Sequence, residues 1–133
     1  MSGLTRFEVG LVSADRTLVD FLADVFELEA LAPAVHPVGT LHRLASPGAV
    51  IKVMVPNETP KPADGAPFLA AKGIRYLSMW VADLDRVLER CTARGGMLLF
   101  GPFAHEPGSR LAVIQDPDGN TIEVIEATEQ GRR

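Results

Sequence analysis

The sequence predicts an α+β protein assembled from two β-α-β-β-β modules, and three observations carry that reading. A strand, an acidic turn and an amphipathic helix follow one another twice. Each helix is followed by short apolar runs bounded by turn residues. A proline-rich stretch lies between the two passages.

The first passage starts at Phe7-Glu8-Val9-Gly10-Leu11-Val12, an apolar run that ends in Ser13-Ala14-Asp15. Leu18, Phe21, Leu22, Val25 and Phe26 then recur at helical spacing. Ser13 or Asp15 is the expected cap, because short oxygen acceptors satisfy the free N–H groups of a first turn. A segment interrupted by Pro33 and Pro37 leads to a strand over residues 40–45. Ser46-Pro47-Gly48 makes a turn, and residues 49–55 form a strongly apolar strand. Pro56, Pro60, Pro62 and Pro67 mark the connecting stretch. Module one is thus expected at about residues 4–56, the linker at 57–72 and module two at about 73–127, all within a single domain. The tail from Ala127, ending in Gly131-Arg132-Arg133, is expected to fray.

The second passage runs Tyr76-Leu77-Ser78-Met79-Trp80-Val81, then Ala82-Asp83, then a helical pattern through Leu84, Val87, Leu88 and Cys91. Asp83 is the expected cap. Arg94-Gly95-Gly96 supplies the stop, since glycine reaches the left-handed region cheaply. Strands are expected over residues 97–100, 111–115 and 121–126, with a loop beginning at Gly101-Pro102. The last two strands flank Asp116-Pro117-Asp118-Gly119-Asn120, whose residue types favour a tight reverse turn. Setting Val12 against Val81 places Phe7 opposite Tyr76, and Ile51-Lys52-Val53 matches Ile122-Glu123-Val124.

Composition narrows the functional classes. At 133 residues one core is expected. Thirteen Lys and Arg against seventeen Asp and Glu give a net charge of −4, which disfavours a nucleic-acid partner. Cys91, the single cysteine, has no intrachain disulfide partner, and Met1-Ser2-Gly3 is not followed by an apolar signal run. With no stretch of roughly 18 to 20 apolar residues, a membrane span is not expected. The expected setting is cytoplasmic.

The stretch Gly73-Ile74-Arg75-Tyr76-Leu77-Ser78-Met79-Trp80-Val81-Ala82-Asp83-Leu84-Asp85, the pair Gly95-Gly96, and Asp116-Pro117-Asp118-Gly119-Asn120-Thr121-Ile122-Glu123-Val124 together resemble the second module of the vicinal oxygen chelate family. That family is the glyoxalase, bleomycin-resistance and extradiol-dioxygenase group. The resemblance covers nearly the whole chain, more weakly over residues 1–55. It implies paired modules with mixed sheets curled around a cleft, often a homodimer, and commonly a divalent metal that chelates two neighbouring substrate oxygens. It also implies ligand positions on the first and last strand of each module, which fall here on Phe7, Lys52, Tyr76 and Glu123.

Only Glu123 among those four is an ordinary metal ligand, and a catalytic divalent site needs about three protein donors. The expected cofactor is therefore none, with a divalent metal as the alternative. A one-residue slip brings Glu8 to the first-strand position, and His42 and His105 are further donors from other segments; His36, beside Pro37, is the weakest of the three histidines.

Strand alternation assigns Leu77, Met79 and Val81 to the helix side, leaving Tyr76, Ser78 and Trp80 on the cleft face. Phe7, Val9 and Leu11 are assigned the equivalent face of module one. Phe7, Lys52, Tyr76, Ser78, Trp80 and Glu123 are the candidate ligand-binding residues, suited to a flat or apolar small molecule. A metal-free acid/base enzyme using Glu123 and Tyr76, or a divergent metal-dependent lyase, isomerase or dioxygenase, is the alternative. Lys72, Arg75 and Arg110 are weighed as a basic rim, and Cys91 as a buried hydrophobe. Lys52 and Glu123, at matching points of the two modules, are a candidate ion pair within one chain or across a dimer.

Overall fold

The computed structural model describes residues 3–104 and 106–127. The chain runs β1 (Val9–Val12), α1 (Thr17–Val25), β2 (Glu29–Ala30), β3 (Ala34–His36), β4 (Gly39–Ser46), β5 (Ala49–Pro56), β6 (Tyr76–Val81), α2 (Leu84–Ala93), β7 (Met97–Ala104), β8 (Ser109–Gln115) and β9 (Thr121–Ala127). It divides into two compact units, Met1–Pro62 and Ala63–Arg133. Each is α+β, with one helix on one face of a mixed sheet. Among the described residues no helix is long and apolar enough to cross a membrane.

In the first unit the strand order is β1-β5-β4-β2, with β3 also paired to β4. The helical crossover makes β1 parallel to β5, and the β4–β5 hairpin is antiparallel. Helix α1 exists because Leu18, Val19, Phe21, Leu22 and Val25 form one apolar stripe. That stripe is buried, as are Leu44, Ile51 and Val53 of the sheet. Burial of each such side chain stabilises the fold by roughly 1.5–3 kcal/mol. The N-cap position falls on Arg16, which makes no side-chain cap bond; of the two expected caps Asp15 lies one residue before it, its Oδ1 accepting the Thr17 N–H at 2.8 Å. Ser13 instead extends the sheet, its N–H donating to the Met54 carbonyl at 3.0 Å.

The second unit repeats the plan as β6-β9-β8-β7, again with the parallel pair at one edge. Leu84, Val87 and Cys91 of α2 are buried, together with Ala112, Ile114, Ile122 and Val124 of the sheet. Asp83 caps α2 through the Arg86 N–H at 3.1 Å, and Glu126 on β9 takes the Leu84 N–H at 2.7 Å. The helix ends as expected: the Gly96 N–H reaches Cys91 O at 2.9 Å and the Gly95 N–H reaches Thr92 O at 3.3 Å, with Gly95 at φ +88°. The β8–β9 turn is tied by Asp116, whose Oδ1 accepts both the Asp118 and Asn120 N–H groups at 2.9 Å.

Four boundaries differ from the sequence reading. Phe7 and Glu8 precede β1 rather than starting it. The short strands β2 and β3, not expected, add to β4 through backbone pairing. Strand β7 runs past Phe100 to Ala104 through a cis Gly101-Pro102 bond, with register shifts between Leu98 and Phe103. There Gly101 sits at φ +83°, and a Cβ would meet the Leu111 carbonyl at 2.7 Å. Ala127 is the buried end of β9 rather than the start of a frayed tail; residues 128–133 lie outside the described range.

Candidate functional site

The sheet of the second unit has two unlike faces. Strand register puts Ser78 beside Glu123 and Trp80 beside Ile125, and Val113 and Leu111 across from those two on β8. These residues leave the side opposite α2, whereas Leu77, Met79 and Val81 leave the helix side. Leu111, Val113 and Ile125 form a buried apolar cluster, and Phe68 and Leu99 pack against it. Around that floor Tyr76 is 49%, Phe100 55% and Trp80 66% exposed. So much exposed aromatic surface on one face is a feature of binding surfaces.

A cavity of about 250 Å³ opens there, lined by Phe68, Leu69, Tyr76, Val113, Thr121 and Glu123. Phe68 stands edge-on to Tyr76 with ring centroids 6.0 Å apart and lies 6.5 Å from Phe100. Arg75 fixes the approach of Phe68: its Nε donates to the Phe68 carbonyl at 3.2 Å and its Nη2 to those of Ala66 and Pro67 at 3.1 and 3.3 Å. Glu123 of the cavity wall accepts the Ser78 hydroxyl at Oε1, 2.8 Å away. A carboxylate, a phenol and a hydroxyl on an apolar floor are equipped to orient a small molecule and to exchange a proton with it.

Tyr76, Ser78, Trp80 and Glu123 thus share one face as their alternation predicts. Sequence reasoning missed Phe68, which sits in the proline-rich stretch, and Phe100. An aromatic residue in a stretch rich in proline, alanine and charged residues was the available signal.

In the first unit the register corrects the sequence reading. Val9 pairs with Ile51 and Leu11 with Val53, both buried strand positions facing α1. Val9 and Leu11 are therefore on the helix side, while Gly10 pairs with Lys52 and leaves the opposite face. Val12 lies beside Met54 as Trp80 lies beside Ile125. The residue matching Tyr76 is consequently Glu8, and Phe7 sits one step before it, 77% exposed. Lys52 Nζ lies 3.5 Å from Glu8 Oε2, and Arg6 holds Glu8 Oε1 at 2.8 Å. Lys52 and Glu123 each find a partner inside their own unit.

These positions do not suit a divalent ion. Glu8 is already neutralised by two cations, Lys52 brings positive charge, and Tyr76 and Ser78 are weak donors beside the one carboxylate Glu123. Among the described residues no three His, Cys, Asp or Glu side chains are grouped to hold a metal. His42 is 6% exposed between the sheet and α1, where burial and Arg16 hold its imidazole below the usual histidine range against the pull of Asp20. His36 is exposed on the edge strand β3, and His105 lies outside the described residues. Burial, with Asp116 adding to it, pushes the Cys91 thiol up to about 11. The three residues weighed as a basic rim are engaged separately: Arg75 is spent on loop carbonyls, Arg110 pairs with Glu126 at 3.2 Å and Asp85 at 3.4 Å, and Lys72 is exposed.

The model of the glyoxalase/bleomycin resistance protein/dioxygenase superfamily matches residues 12–124. Solved structures similar to this chain include a glyoxalase family protein from Bacillus cereus, 22% identical over 96% of this chain and 97% of that one, with a TM-score of 0.78. A glyoxylase/bleomycin resistance protein/dioxygenase domain from Frankia sp. is 18% identical over 97% and 94%, with a TM-score of 0.69. The fosfomycin resistance protein FosX from Listeria monocytogenes, complexed with Mn(II) and sulfate, is 17% identical over 99% and 98%, with a TM-score of 0.67. At these identities the likeness concerns the fold. No curated protein matches the chain significantly in sequence.

Proposed function

The chain belongs to the glyoxalase/bleomycin resistance protein/dioxygenase superfamily, and from that premise we propose that it binds a small apolar or aromatic molecule on the open face of its second sheet without a divalent metal. The observation that carries this reading is the exposed aromatic face of Tyr76, Trp80 and Phe100 around a cavity with an apolar floor. Flat rings stack on such side chains, and Glu123 with its Ser78 partner orients a polar group of the ligand. Phe7, which lies outside β1, and Lys52, paired to Glu8, belong to the first unit and not to this face. The assembly is a homodimer in the cytoplasm.

FosX was solved with Mn(II). The donor set here argues against carrying that ion over, because Lys52 and Tyr76 stand where two ligands are expected. The experiment is elemental analysis of protein purified without chelator, followed by quenching of Trp80, the only tryptophan, with a panel of aromatic compounds. Saturable quenching with no stoichiometric transition metal supports the reading. One metal per chain, lost on Glu123→Ala, overturns it and restores the metal-dependent lyase, isomerase or dioxygenase.

A second reading is favoured by Glu123, which accepts the Ser78 hydroxyl at 2.8 Å and shares the cavity wall with Tyr76: Glu123 as general base and Tyr76 as acid in a metal-free reaction. In a substrate screen, Glu123→Gln and Tyr76→Phe then abolish turnover while quenching by the ligand persists. Turnover unaffected by either variant rejects it.

A further inference from the structure

The strands behind the aromatic face of the second unit turn a single charge toward it, the carboxylate of Glu123, and we infer that the ligand is an organic cation, a primary ammonium borne close to an aromatic ring. This ligand class rests on the aromatic-face reading proposed above and narrows it.

Strands β6, β7, β8 and β9 hold three charged residues in all, Arg110, Glu123 and Glu126. Arg110 and Glu126 are register partners on the α2 side and pair with each other at 3.2 Å. Glu123 leaves the opposite side, where its sheet neighbours are Ser78 on β6 and Val113 on β8, with Thr121 and Ile125 two residues either way along β9. The Ser78 hydroxyl, donating to Oε1, is its one hydrogen-bond or ion-pair partner among the described residues. Arg75, just before β6, donates to loop carbonyls instead. A half-buried carboxylate over an apolar floor has lost water that one neutral hydroxyl does not replace, so the face is short of a cation.

The surroundings of Glu123 say what kind of cation fits. A divalent metal ion needs about three strong donors, which this face lacks, whereas an ammonium is satisfied by one carboxylate, neutral hydroxyls and ring faces. Glu123, Thr121 and Tyr76 line the same cavity of about 250 Å³ and carry three side-chain oxygen acceptors, as many as a primary ammonium has N–H donors. Tyr76 and Trp80, 49% and 66% exposed, leave ring surface open both to the cation and to an aromatic ring attached to it.

The test follows the indole N–H resonance of Trp80, the only tryptophan, by NMR of the full chain with chelator present. Phenethylammonium, phenethyl alcohol and phenylacetate, one ring with a cationic, a neutral and an anionic head, are titrated in separate arms at matched ionic strength. The expected result is a saturable shift with a Kd for the ammonium roughly ten-fold below that for the alcohol, and with phenylacetate weakest. That is the fold-change which one exposed ion pair and one cation–π contact supply together. In Glu123→Gln the preference disappears and the ammonium binds no better than the alcohol. Glu89→Gln makes the same charge change on the exposed side of α2, across the sheet, and keeps the preference. This control separates a contact at Glu123 from the general pull of a chain of net charge −4 on cations. The ranking in the unmodified chain and in Glu89→Gln keeps the test decisive if Glu123→Gln does not fold. Equal affinity for the ammonium and the alcohol, or a preference that survives Glu123→Gln, overturns the cationic ligand while leaving the aromatic face standing. No shift of Trp80 with any of the three probes overturns both.

Discussion

Side chains one residue apart in β1 decide what the first unit offers. Phe7, Val9 and Leu11 alternate as an apolar set, and alternation alone does not say which face is covered by the helix. A one-residue change in matching exchanges the faces. The pairing of Gly10 with Lys52 settles it, bringing Glu8 to Lys52. Tyr76, Ser78 and Trp80 were legible because Leu77, Met79 and Val81 form an unbroken apolar partner set with a helix beneath. At Trp80, replacement by alanine is expected to weaken an aromatic ligand by about 1 kcal/mol or more, roughly five-fold in Kd, measured by titration calorimetry. His42 supplies a pH test. Its imidazole is held low chiefly by burial, so the unfolded chain takes up a proton first as pH falls through about 6.5. Stability is therefore present above that value and lost on acidification toward the lowered one. Urea midpoints at pH 7.5 and 5.5 should fall further for the wild type than for His42→Leu.

At the scale of elements, capping and turn chemistry were readable because they are local. Asp83, Gly95 and the Asp116–Asn120 turn act as their residue types imply. Strands β2 and β3 were not readable: they are two and three residues long and owe their conformation to the β4 backbone beside them. Glu126 was hidden for a related reason, since it reaches α2 from β9, 42 residues away in sequence. It serves both the Leu84 N–H and Arg110. Glu126→Ala should cost about 2 kcal/mol of stability, against about 1 kcal/mol for Asp83→Ala, by urea denaturation. Arg75 ties a loop to a strand in the same long-range manner. Arg75→Ala releases three carbonyls and with them the placement of Phe68. The expected outcome is a rise in aromatic-ligand Kd of roughly five-fold with a stability loss of only about 1 kcal/mol, and Arg75→Lys recovers little because an ammonium lacks the fork.

Across the whole molecule, the repeat legible in the sequence is a repeat of topology: a parallel pair joined by a helix, then antiparallel strands. What each copy carries on that scaffold is set residue by residue, which is why Lys52 and Glu123 occupy matching strand positions with opposite charge. Cys91 gives this architecture an internal clock. The thiol is 1% exposed under the second sheet and is pushed up to about 11, so at pH 8 almost none of it is thiolate even when a reagent arrives. Labelling by a disulfide reagent must wait for α2 to lift away from β8 and β9. The native protein should react at least roughly 100-fold more slowly than the urea-unfolded chain. Because the chain has no other cysteine, each labelling event dates one opening of the second unit's core, and a ligand seated on the far side of that sheet should lengthen the interval in proportion to its occupancy.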